Sequence, residues 1–172
     1  KDRLGGATRF YERKEIKDLL AYVRWVVNPA DSISFKRLVN APARGIGPAT
    51  IAKLELLAMQ EKSTIWEACQ RAVRQRLFNA KQQAAMEGLL HLIEEVRAKS
   101  AFTQIPDLIA ELITASGYAE ELQRDGTPED QSRLENLKEL VTAAQEFVER
   151  TAEGGLPAFL DSVALISDLD AY

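Results

Sequence analysis

From Leu134 onward, the apolar residues Leu137, Leu140, Val141, Ala144, Phe147 and Val148 recur at a spacing near 3.5, which is the period of a helix with one buried face. Spacings of three and four, rather than two, continue through most of the chain and confine it to packed helices. Ile16, Leu19, Leu20, Val23, Val26 and Val27 form one such stripe. Asn28-Pro29 ends it, because the residue before proline avoids the helical region. Asp31 or Ser32 caps a short helix carrying Phe35, Leu38 and Val39, and this helix stops in the proline- and glycine-rich stretch from Asn40 to Gly47. Pro48 suits a first helical turn, so Pro48 to Gln60 reads as a third helix with Ile51, Leu54 and Leu57 inward.

Thr64 to Val73 reads as the next helix, behind a Ser63 cap. Asn79 to Lys99 follows, with Leu89, Leu90, Ile93 and Val96 as its stripe. Pro106 to Ala115 and Tyr118 to Gln123 are shorter, with Gly117 as a helix-ending glycine between them. Arg124 to Asp130 is expected to be a polar turn before the long helix. Gly154-Gly155 breaks that helix ahead of a last one from Pro157 to Ile166. Only Ala7 to Tyr11 alternates like a strand. The expected fold class is therefore all-α, a compact bundle of about eight or nine helices joined by short turns.

Composition narrows the chemistry. One cysteine, Cys69, and one histidine, His91, among 172 residues cannot build a disulfide framework, a zinc site or the usual Ser-His-Asp triad. Cys69 reads as a small buried apolar residue, and His91 as a surface or core histidine. No apolar run is long enough to span a bilayer, so no membrane partner is expected. No GxxxxGK[ST] loop is present, and Gly5-Gly6 and Gly154-Gly155 lack the lysine such a loop needs. Neighbouring carboxylates such as Glu94-Glu95, Glu120-Glu121 and Glu129-Asp130 point in different directions on a helix, and read as solvated faces. The net charge of −4 argues against nucleic acid, yet it hides a division. Residues 1–100 hold 18 Lys and Arg against 11 Asp and Glu, whereas residues 101–172 hold 4 against 15.

The basic part contains the most informative stretch, Pro42-Ala43-Arg44-Gly45-Ile46-Gly47-Pro48-Ala49-Thr50-Ile51-Ala52-Lys53. A short helix, a tight turn with two glycines around one aliphatic residue, and a new helix make a helix-hairpin-helix-like element. Glycines let the backbone approach a phosphate, and the N–H groups that open the next helix attract the anion. Thr50 adds a hydroxyl donor and Lys53 a charge. The alternative is a helix-ending glycine followed by an ordinary capped helix. On the first helix, Lys14, Lys17 and Arg24 share a face with Ala21, a basic strip about 15 Å long. With Glu15 and Asp18 interleaved, a solvated face is the other reading.

With these residues in place, the chain resembles the 2B accessory subdomain of UvrD/PcrA/Rep-type superfamily 1 DNA helicases. The resemblance is carried by Gly5-Gly6, the run Arg9 to Asp18, Leu20-Ala21-Tyr22 with Arg24, Asn28-Pro29 with Asp31, and Asn40, Pro42 and Arg44 to Gly47 with Thr50. It continues with Ser116-Gly117-Tyr118, Ser132 to Leu137 with Glu139-Leu140, and Phe159-Leu160 with Ala164-Leu165. Departures are Ser32-Ile33, where the family commonly has a second acidic residue after Asp31, and the opening Lys1 to Leu4.

The resemblance implies a piece of a longer enzyme with no catalytic site of its own, ATP and Mg being bound by the motor domains of the parent. It divides the chain into residues 1–11 as a crossing from the 2A motor subdomain, 12–166 as helical 2B, and 167–172 as the return crossing, with Gly5 and Gly6 as a hinge. It implies contact with double-stranded DNA through Arg44, Gly45, Ile46, Gly47, Thr50, Lys17 and Arg24, to which spacing adds Lys14 and Lys53. Swivelling of the subdomain, docking on 2A and other motor subdomains, and a DNA-repair role with repair proteins as partners also follow from it, as does a cytoplasmic, nucleoid-associated place in bacteria. The acidic region from Asp107 to Asp170 supports another expectation, a protein-interaction or autoinhibitory module.

Overall fold

The first long helix, α1 (Lys14–Val27), buries ten of its fourteen residues, more than one amphipathic stripe would. Ala21, Tyr22 and Trp25 turn inward beside the expected aliphatic residues, and so do the acids Glu15 and Asp18. Five other helices cover it: α2 (Ser32–Leu38), α5 (Ala80–Lys99), α6 (Ile105–Ala115), α8 (Pro128–Arg150) and α9 (Leu156–Leu169). α3 (Pro48–Gln60) and α4 (Ile65–Arg74) pair with each other, and α4 joins them to α5. α7 (Tyr118–Asp125) packs on α6 and α8.

The structure is a computed structural model that describes residues 9–151 and 153–169. The proposed hinge, Gly5 and Gly6, lies outside the described residues, as do parts of both crossings. Every regular element among the described residues is helical, in accord with an all-α fold. Residues 9–12 form a helical turn rather than a strand end. The adjacent Phe10 and Tyr11 both pack on the core, which strand alternation would forbid. No helix among the described residues is long and apolar enough to cross a membrane.

Local chemistry explains the helix ends. Asp31 accepts the Ser34 N–H at the start of α2, with no second acid at Ser32 or Ile33. Thr64, not Ser63, caps α4, and its exchange with Glu67 makes a capping box. Asn79 and Gln82 repeat that box on α5. The expected turn from Arg124 to Asp130 shrinks to two residues. Gly126 takes a left-handed φ of 63° to end α7, and Thr127 then caps α8 by accepting the Asp130 N–H. α9 likewise runs past Ile166 to Leu169.

The aromatic residues fix how α1 meets its neighbours. The Trp25 ring lies 5.0 Å from Phe35 and 5.2 Å from Trp66, centroid to centroid, a spacing at which tilted and edge-on aromatic pairs attract. Arg97 of α5 stands over Trp66 and donates to the carbonyls of Trp25 and Val26 at 2.9 and 2.8 Å. It thereby satisfies acceptors that the end of α1 leaves open.

Gly117 joins α6 to α7 with φ +88°, and a Cβ there would meet Pro42 Cγ at an ordinary 3.5 Å. Backbone strain, not crowding, should therefore set the cost of Gly117→Ala, at about 1–2 kcal/mol. Urea unfolding of the variant checks this, and a loss below a few tenths would mean the junction relaxes freely.

Candidate nucleic-acid interface

α3 buries only Leu54; Ile51 and Leu57, expected inward, are only partly buried. A helix so weakly embedded presents its N-terminus at the edge of the fold. The loop from Asn40 to Gly47 leads into it. Gly45 takes φ +75°, a left-handed conformation suited to glycine. Gly47 is the helix N-cap, with φ −76° and ψ 171°, and provides no side-chain cap. Pro48 has no N–H, and the Ile51 N–H bonds back to the Gly47 carbonyl. No cap side chain covers the N–H groups of Ala49 and Thr50, which point out of the helix start. A Cβ built at Gly45 or Gly47 would find nothing within 4 Å, so the turn faces open space.

Four side chains hold this turn in shape. Asn40 Oδ1 accepts the N–H of Arg44 at 3.3 Å and of Ile46 at 3.1 Å, while its Nδ2 donates to the Ile46 carbonyl at 2.6 Å. Ile46 itself is buried, 1% exposed, and pins the turn to the core. Gln82 donates to the Gly45 carbonyl at 3.0 Å. Arg44 turns its guanidinium inward: Nη1 donates to the carbonyls of Leu38 and Val39 at 2.8 and 3.1 Å, and Nη2 to the Tyr22 hydroxyl and the Ser116 carbonyl at 2.7 and 3.3 Å. Burial pushes the Tyr22 hydroxyl pKa up, and the Arg44 guanidinium pulls it the other way.

The remaining expected residues form two groups. Thr50 is half-buried and Lys53 exposed, and both stand on the groove between α3 and α4. Lys14, Lys17 and Arg24 lie on α1, but Ala21 between them is buried, so the basic strip is interrupted. Lys14 is bound to Asp18 at 3.0 Å. Lys17, Arg24 and Lys53 form no ion pair among the described residues. Arg44, in the loop ahead of α3, reaches α1 through its bond to the Tyr22 hydroxyl.

Asn40, Gln82 and Tyr22 emerge as site-shaping residues. Asn40 had a local signal, because asparagine in a turn-rich stretch bonds nearby backbone. Gln82 had none toward a loop 37 positions away. Of the carboxylate pairs read as solvated, Asp130 is in fact buried and accepts from Arg133 at 3.3 Å. Glu121 receives the Ala43 N–H at 3.4 Å. His91 is exposed, and Cys69 is buried with its thiol pKa pushed up by desolvation.

Comparison with known proteins places the chain in a family. The family model for the UvrD-like helicase C-terminal domain matches residues 3–171. The ATP-dependent DNA helicase PcrA of Bacillus subtilis (strain 168) is 38% identical over 165 residues, covering 96% of this chain and 22% of that protein. The ATP-dependent DNA helicase PcrA of Staphylococcus aureus (strain Mu50) is 35% identical over 167 residues, covering 96% of this chain and 23% of that protein. The chain thus spans less than a quarter of the length of these relatives. With a family match extending over nearly all of its residues, the chain belongs to the UvrD-like helicase C-terminal domain family.

Proposed function

We propose that this chain is the 2B accessory subdomain of a UvrD/PcrA-type superfamily 1 DNA helicase, and that it grips duplex DNA by its phosphates without a catalytic site of its own. The observation that carries this reading is the Gly45–Gly47 turn: it faces open space, leads into an uncapped helix start, and has beside it Thr50 and a Lys53 with no ion pair among the described residues. Backbone N–H groups at a helix N-terminus bind phosphate without reading bases. Lys17 and Arg24 add charge from α1. In the parent enzyme, motor domains with ATP and Mg would draw single-stranded DNA, while this subdomain holds the duplex ahead and, by swivelling, favours or restrains unwinding. A cytoplasmic, nucleoid-associated setting and a repair role belong to the same reading.

The other reading, an interaction module working through the acidic region, has less support. Asp130 and Glu121 are engaged within the fold.

Titration of the chain with a labelled duplex at low salt tests the proposal. Binding should be independent of sequence, and its absence with folded protein would exclude direct contact. Gly47→Ala sharpens the test. Its φ suits alanine and its Cβ would meet nothing, so the fold should hold with a loss of at most about 1 kcal/mol from the poorer cap, yet the methyl would stand where a phosphate approaches. Duplex affinity should fall about tenfold, equivalent to about 1.4 kcal/mol. Unchanged affinity would mean that nothing approaches the backbone there.

A further inference from the structure

The four hydrogens on the two Nη atoms of Arg44 meet four acceptors, all inside the fold: the carbonyls of Leu38, Val39 and Ser116, and the Tyr22 hydroxyl. Only Nε–H remains, and a bidentate grip on phosphate needs two donors side by side. The acceptors come from the end of α2, from α1, and from the end of α6. One side chain thus fastens the loop to three helices. Tyr22 fastens it a second time, because its hydroxyl also donates to the Ala41 carbonyl. Asn40 spans what remains, bonding the backbone of Arg44 and Ile46.

We infer that Arg44 serves duplex binding as a positioning residue, locked by Tyr22, and does not itself touch phosphate. This rests on the duplex-binding reading above. Its physical content is preorganisation. A turn held by eight hydrogen bonds from Tyr22, Asn40 and Arg44 presents the N–H groups of Gly47, Ala49 and Thr50 without first having to be ordered. Removing a cation that contacts phosphate lowers the number of counterions released on binding, and so changes its salt dependence. A positioning residue changes affinity equally at every salt concentration.

The experiment is duplex titration of the chain across a salt series, with Tyr22→Phe, Arg44→Lys, Arg44→Gln and, as the phosphate-contact control, Lys17→Gln. Tyr22→Phe keeps every charge but loses both bonds of the hydroxyl, with Arg44 and Ala41, and should weaken binding at least about fivefold, the equivalent of one hydrogen bond, with an unchanged slope of log affinity against log salt. Arg44→Lys keeps the charge but cannot reach four acceptors, and should fail to restore affinity. Arg44→Gln should leave the slope unchanged, whereas Lys17→Gln should reduce its magnitude by about 0.9.

Full binding by Tyr22→Phe, rescue by Arg44→Lys, or a slope change in Arg44→Gln would each overturn the positioning role while leaving duplex binding intact. No binding by the unaltered chain would overturn the duplex reading and this inference with it. If Arg44→Gln does not fold, by its circular dichroism, Tyr22→Phe and Arg44→Lys decide the matter through affinity alone.

Discussion

Asp18→Ala should lower the stability of the chain by about 3 kcal/mol. Asp18 is 3% exposed, yet it takes three hydrogen bonds: from Lys14 Nζ at 3.0 Å, Arg37 Nε at 2.8 Å and the Tyr118 hydroxyl at 2.7 Å. Arg37 belongs to α2 and Tyr118 to α7, so this carboxylate ties two helices to α1. Burial, and then the bond to Asp18, push the Tyr118 hydroxyl pKa up, and it remains a donor. Alanine would leave that buried hydroxyl without an acceptor, at about 1–3 kcal/mol. The Arg37 bond adds a charge-assisted term, reduced because its side chain is 39% exposed. Lys14, 66% exposed, adds little.

For a chain of this size, a loss of 3 kcal/mol lowers the melting temperature by about 6–12 °C. Asp18→Asn keeps one acceptor oxygen and should lose about half as much. Urea unfolding with matched m-values measures both. A cost below about 1 kcal/mol for alanine would mean that apolar packing alone holds α2 and α7 to α1.

This polar core was the part of the fold that the sequence concealed. Helix positions were legible because caps and periods are local: Pro48–Gln60 matches to the residue, and Asp31 and Asn79 cap as their chemistry suggests. α1 was misjudged because Glu15 and Asp18 read as marks of a solvent face. Their partners, Asn136 and Tyr118, lie 121 and 100 residues away. Once those partners arrive, the acids can be buried, and with them Ala21, so that a helix with one apolar stripe becomes a central helix.

The candidate site divides in the same way. Two glycines and a first-turn proline make the exposed turn readable, since they act through their own backbone. The direction of Arg44 was not readable, because a guanidinium beside a glycine turn suits an outside phosphate as well as inward carbonyls. Only the positions of Leu38, Tyr22 and Ser116 in space decide between them. The motif residues thus separate into a displayed backbone and side chains that hold it.

Raising salt from 50 to 200 mM should weaken duplex binding about 40-fold. Lys17, Arg24 and Lys53 have no acidic partner among the described residues, whereas Lys14 is engaged by Asp18 and Arg44 by the fold. Three cations on three phosphates give a slope near −2.7, at about 0.9 per contact. The net charge of −4 predicts the opposite sign: if the whole molecule acted as one anion, screening would reduce its repulsion from DNA and strengthen binding. The sign of the slope therefore separates a local grip from the average charge before any residue is changed. Replacing Lys17, Arg24 and Lys53 together with glutamine should then flatten or reverse it, because backbone N–H donors remain but no counterions are exchanged by side-chain charge. A slope near −2.7 that survives this triple substitution would place the phosphate contacts on other cations, and would remove the Lys17, Arg24 and Lys53 side chains from the interface.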